Sequence, residues 1–174
     1  MDTGDLLVDA FGRVNELVHE IVTGLGPDEL TFRPDAEANS IAWLVWHLTR
    51  VQDDHVADLA QVSQAWTAQG WYDRFGLPFD PKAHGYGHTF EEVGRVRATA
   101  ELLVGYHDDV HRLTIGYVER IEAAELDRIV DRRWDPPVSA GVRLVSVIGD
   151  TMQHAGQAAY VRGLAERRRP SSSF

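Results

Sequence analysis

Apolar residues along the first part of the chain recur at three- and four-residue steps: Leu6, Leu7, Ala10, Val14, Leu17, Val18 and Ile21. That spacing places them on one face of a helix, and it predicts a first amphipathic helix that Gly24 and Gly26-Pro27 end. Asn39 or Ser40 can cap a second helix, whose inner stripe runs Ile41, Leu44, Leu48, Val51, His55 and Leu59 before fading near Ser63. From Trp66 to His88 the glycines and prolines interleave with Trp71, Tyr72, Phe75, Phe79 and Tyr86. The mixture predicts an ordered, aromatic-anchored connection rather than a flexible linker. Thr89-Phe90-Glu91-Glu92 has the form of a capping box and opens a third helix with core positions Val96, Ala100, Leu103, His107, Val110, Thr114, Tyr117 and Ile121. An acidic piece from Glu122 to Asp131 and the stop Trp134-Asp135-Pro136-Pro137 precede a fourth helix, which runs from about Ser139 into the arginines.

No internal repeat and no convincing strand alternation interrupts this pattern. The expectation is an all-α chain: a four-helix bundle with two short links and one long crossover between helices two and three. Residues 1–168 form its single domain, and 169–174 form a disordered tail. The fourth helix is apolar on two sides, with Leu144, Ile148, Met152, Ala155 and Ala159 on one face and Val147, Ala158 and Val161 beside His154 on another. Either both faces are buried within the monomer, or one meets the bundle and the other a second subunit; a homodimer is the expectation.

Composition narrows the function classes. A chain of 174 residues supports a core without staples, and the absence of cysteine removes disulfides, cysteine metal sites and cysteine nucleophiles. A formal net charge of −10 argues against nucleic acid, which needs clustered basic residues. The one basic cluster, Arg167-Arg168-Arg169, abuts Pro170 and a serine tail, where a frayed, solvated terminus is expected. No apolar run reaches the roughly 18 residues of a membrane span, and no leader pattern opens the chain, so a cytoplasmic protein is expected. The use of 16 Arg against Lys82 alone points by association to a G+C-rich bacterial genome.

The chemistry concentrates on Asp150 and His154, four residues apart and thus one turn apart on one helix face. Two such groups can hold one metal ion if a third arrives from another element, and His47, inside the apolar second helix, is the candidate. Each has a plainer reading: His47 as a hydrogen-bonded core histidine, and Asp150 with His154 as an ordinary helix pair. His107 and His111 repeat the spacing but lack a third partner; His107 reads as a core group and His111 as a surface one. His55 also points inward by its spacing, yet lies about 12 Å along the axis from His47, too far to share an ion. His84 and His88 flank Gly85-Tyr86-Gly87, which reads first as a glycine turn and second as a pocket rim. Trp43 and Trp46 read as packing residues, and Gln157 as a support for His154. His55, His107, Asp54 and Tyr106 are all possible general acids or bases.

The run Asn39-Ser40-Ile41-Ala42-Trp43-Leu44-Val45-Trp46-His47-Leu48, taken with His154-Ala155-Gly156-Gln157 and Arg162-Gly163, resembles the DinB-like superfamily and its mycothiol-dependent maleylpyruvate isomerase branch. The resemblance extends over nearly the whole chain. It implies a four-helix bundle, often dimeric, with a divalent metal on His47, Asp150 and His154. Many members carry histidine where this chain has Asp150, while the isomerase branch has an acidic residue there. Zinc is the expected ion, with nickel or iron as alternatives, because mixed nitrogen and oxygen ligands suit all of them. The function so implied is a metal-dependent thiol transferase or isomerase of detoxification or stress metabolism. Mycothiol, as expected in an actinobacterial source, would be its co-substrate, and a small electrophile its target. The alternative is a non-catalytic bundle that binds a metal or small ligand.

Overall fold

A computed structural model describes residues 1–168, so the tail expected at 169–174 lies outside the described residues. The chain is mostly helical. Helix α1 (Thr3–Val22) starts at a capping box in which the Asp2 carboxylate accepts from the Asp5 amide at 2.8 Å and Asp5 returns the bond to the Asp2 amide at 3.0 Å. Leu7, Phe11, Val14, Val18 and Ile21 are its buried stripe. Its far end is closed from another helix: Arg162 donates to the carbonyls of Glu20, Ile21 and Thr23, three acceptors a helix end otherwise leaves open. After the single turn α2 (Pro27–Leu30), the Ser40 hydroxyl accepts from the Trp43 amide at 3.1 Å and opens α3 (Ile41–Ala60). From Ile41 to Arg50 every residue of α3 is buried, more than the predicted stripe, while Val51 and His55 are only half-buried.

The long connection is ordered, as its aromatics predict. It contains α4 (Ala65–Ala68) and α5 (Trp71–Phe75), with Trp66 packed against Trp46, Tyr72, Phe75 and Tyr106. The buried Asp53 carboxylate accepts from the amides of Ala65 (2.9 Å) and Trp66 (2.8 Å) and from the Tyr106 hydroxyl (2.8 Å), which fastens α4 onto α3. The third helix departs from expectation. The Thr89 box opens only α6 (Phe90–Arg95); Val96 turns extended, and Thr99 caps a separate α7 (Ala100–Val118) through the Leu102 amide. A second capping threonine, ten residues after the first and four after Arg95, competes with continued helix, and here it wins. Tyr117 and Ile121, predicted as core, are only half-buried, and Val118 is buried instead.

The last link is not short. It holds α8 (Ala123–Leu126) and an antiparallel pair, β1 (Ile129–Asp131) with β2 (Val138–Ser139), too brief for any alternation to show in sequence. Ser139 then caps α9 (Ala140–Glu166). Among the long helices, α3 packs on α7 and α9, and α1 packs on the same two. The predicted division of α9 into two apolar faces is corrected: Leu144, Val147, Ala155, Ala158 and Val161 all turn inward. Met152 and Ala159, expected on the first of those faces, are exposed with Val142, Val145 and Tyr160 on a third stripe. Among the described residues, no helix is long and apolar enough to cross a membrane.

Candidate metal centre

His47 sits in the second turn of α3, on the side that packs against α9, and the spacing of Asp150 and His154 turns both toward it. The structure brings these three predicted residues together, with one potential ligand atom from each within 4.8 Å of the others. The His47 and His154 rings stand 4.8 Å apart between centroids, and His154 Nε2 is 3.7 Å from Asp150 Oδ1. Among the described residues no other group of three such side chains converges in this way.

The hydrogen bonds around the trio assign its protons. His47 Nδ1 faces the carbonyl of His84, which can only accept, so the proton lies on Nδ1 and the Nε2 lone pair is free. His154 Nδ1 donates to the Gln157 side-chain oxygen at 2.9 Å, which frees its Nε2 in the same way. Burial is the main cause that pushes the His47 pKa down, against the bond that the ring donates to the His84 carbonyl, and this favours the neutral ring that a metal requires. Asp150 Oδ2 is buried and has no hydrogen-bond partner. A buried carboxylate oxygen without a donor is costly, and a cation between the three groups would satisfy it. Ligands shared by one ion stand roughly 3 to 3.5 Å apart, so the widest separation in the trio, up to 4.8 Å, would close by roughly 1 to 2 Å on binding.

The segment over the site explains its glycines. Gly85 has φ +94° and Gly87 φ +76°, conformations glycine adopts without strain. At Gly85 a Cβ would lie 2.8 Å from His47 Nδ1 and 3.1 Å from both Trp43 and Trp46, so only glycine lets the backbone come down onto the histidine. The turn reading of this segment therefore holds, and His84 also rims a cleft. Trp43 stacks on His47 with centroids 4.6 Å apart and planes 15° apart, and its Nε1 donates to His88 Nδ1 at 3.2 Å. It packs, as expected, but what it packs is the ligand ring.

A cleft of about 560 Å³ opens beside His47 and Asp150, walled by Val51, Asp54, His55, His84, Tyr86 and Arg133. Of the four acid-base candidates, Tyr106 and His107 are fully buried, so neither can touch a bound molecule. Asp54 and His55 remain on the cleft. His55 is thus half-exposed rather than turned into the core, with its ring against Arg143 of α9. Arg133 and the His84 carbonyl escaped the sequence reading. One comes from the hairpin turn and the other is backbone, and neither leaves a motif.

Comparison with known proteins bears on the fold and the family. The crystal structure of the conserved protein of locus from Enterococcus faecalis superposes with a TM-score of 0.89 at 31% identity, over 97% of this chain and 99% of that one. No curated protein matches the chain. A family profile described as mycothiol-S-transferase matches residues 6–166, nearly the whole length, and the chain belongs to that DinB-like family.

Proposed function

We propose that the four long helices form a four-helix bundle that holds one divalent ion on His47, Asp150 and His154, and that the protein is a metal-dependent thiol transferase. The thiol is of the mycothiol type and the acceptor a small electrophile. The observation that carries the metal is the convergence of Asp150, whose Oδ2 is buried without a partner, with two imidazoles whose Nδ1 atoms are already committed as donors. Zinc fits this donor set best among ions without redox chemistry, and nickel or iron(II) fits it too. An ion with three protein ligands keeps open positions, and its chemical contribution is to lower the pKa of a thiol so that it reacts as thiolate near neutral pH.

The chain's own groups supply the rest. The His84 carbonyl and Gln157 fix the tautomers and ring planes of the two histidines, the kind of outer support that ligand rings need. Trp43 closes one side of the His47 ring against water. The adjoining cleft is large enough to hold a small electrophile against that thiol. In the reaction the sulfur gives up its proton and forms a bond to an electrophilic carbon. The electron pair released at that carbon leaves with a departing group or is captured by a proton. The exposed stripe Val142, Val145, Met152 and Tyr160 is the proposed homodimer contact.

The reading is tested by stripping the protein with a chelator, reloading it with zinc, nickel or iron(II), and following loss of electrophile with mycothiol. Turnover should require both metal and thiol. Metal-replete protein that binds mycothiol yet consumes none of a panel of electrophiles would put the non-catalytic bundle in its place.

A further inference from the structure

One wall of the cleft has a defined polarity that the metal trio does not use. His55 lies two turns beyond His47 on α3, its side chain 37% exposed, and it lines both the cleft beside the trio and a neighbouring one of about 450 Å³. Its Nδ1 is 3.2 Å from Arg143 Nη1. A guanidinium only donates, so this contact requires a lone pair on Nδ1, and the proton of the neutral ring then sits on Nε2. Burial and the Arg143 charge both push the His55 pKa down, against the pull of Asp54 at 3.9 Å, which keeps the ring neutral. Arg143 is itself held in place by the buried Asp131 at 3.7 Å, a carboxylate that Arg133 also binds at 2.7 Å. Among the described residues none accepts a hydrogen bond from His55 Nε2, and that atom is not a buried orphan. The ring therefore presents one oriented N–H to open space.

We infer that His55 is a ligand-binding residue whose Nε2–H donates to a neutral carbonyl oxygen of the small molecule in the cleft. Asp150 is committed to the ion, Asp54 adds a carboxylate to the wall, and Arg133 and Arg143 are both engaged with Asp131, so beside His55 an anion meets a carboxylate and no free cation. A neutral acceptor meets the donor without that penalty. The identity of this molecule as the electrophile rests on the proposed function; the hydrogen bond does not.

The test uses metal-loaded protein with ¹⁵N-labelled histidine, the His55 signals being assigned by their loss in His55→Phe. Nε2 should carry the proton in the free protein. Cyclohex-2-enone should then shift that resonance saturably, while cyclohexene, of similar shape but without the carbonyl, should not, and cyclohex-1-ene carboxylate should bind more weakly than the enone. A proton on Nδ1, an equal response to cyclohexene, or preference for the carboxylate would overturn the inference. In turnover with mycothiol, His55→Phe should raise KM for the enone about five-fold, the worth of one hydrogen bond. It should leave metal content and KM for mycothiol unchanged; an equal change in KM for benzyl bromide, which has no carbonyl, would count against the inference. Should the unchanged protein turn over neither electrophile, the thiol-transfer reading fails, and the resonance titration still decides the role of His55.

Discussion

Acidification is expected to weaken the fold through a histidine that has nothing to do with the metal. His107 is fully buried on α7. The Thr49 hydroxyl donates to the Val45 carbonyl at 2.8 Å, so at 3.1 Å from His107 Nδ1 its oxygen acts as acceptor, which places the ring proton on Nδ1. Nε2 is then a buried nitrogen with no partner, and a second proton there would have nothing to bond. Burial first, then the neighbouring His111, push its pKa down to about 3, against the pull of Asp108. Above the unfolded value near 6.5 both states are neutral and pH has no effect through this group. Below it the unfolded chain takes up a proton that the folded one refuses, so stability falls with pH until about 3, by up to roughly 1.4 kcal/mol per unit. At pH 5 the loss is about 2 kcal/mol. Urea unfolding at pH 8 and pH 5 measures it. Burial also lowers the pKa of His55, His88 and His111, so the informative quantity is the pH difference in the native protein minus that in His107→Gln. Equal losses in the two proteins would refute the assignment.

Three further outcomes follow from the packing. Gly85→Ala should destabilise by about 1–3 kcal/mol and reduce metal retention, read by thermal melting and elemental analysis, because its Cβ meets His47 in a left-handed backbone. Arg50 is fully buried, lies 3.7 Å from Asp53 and donates to the Ala83 carbonyl at 3.1 Å; Arg50→Met should cost about 3–5 kcal/mol in urea unfolding, and Asp53→Asn in the same chain should restore part of it. Light scattering should show a dimer that Val145→Glu and Met152→Glu convert to monomer, since both residues are exposed; a native monomer would remove the dimer.

The parts of this structure that could be read from sequence are those governed by local spacing. Apolar steps of three and four placed α1 and α3, the Pro136-Pro137 stop placed the start of α9 near Ser139, and Ser40, one of the two caps expected for α3, satisfies the Trp43 amide. The trio was legible because Asp150 and His154 share a helix face and His47 interrupts an otherwise apolar run. What sequence hid depends on neighbours distant in the chain. Thr99 ends one helix and starts another where the heptad beat of the apolar residues continues through the break. The third stripe of α9 is outward only because α1 and α3 cover the other two. The orientation of His55 comes from Arg143 on α9 and Asp131 on β1, and no periodicity along α3 carries that information.

The central claim is that His47, Asp150 and His154 hold one divalent ion. Elemental analysis after identical zinc loading and desalting tests it, on the native protein and on His47→Ala, Asp150→Ala, His154→Ala and His111→Ala. The account predicts one ion per chain in the native protein and in His111→Ala. It predicts little in each of the other three, a loss exceeding the roughly 10- to 100-fold weakening caused by removing a supporting group such as Gln157. Stoichiometric metal retained in both His47→Ala and His154→Ala would contradict it.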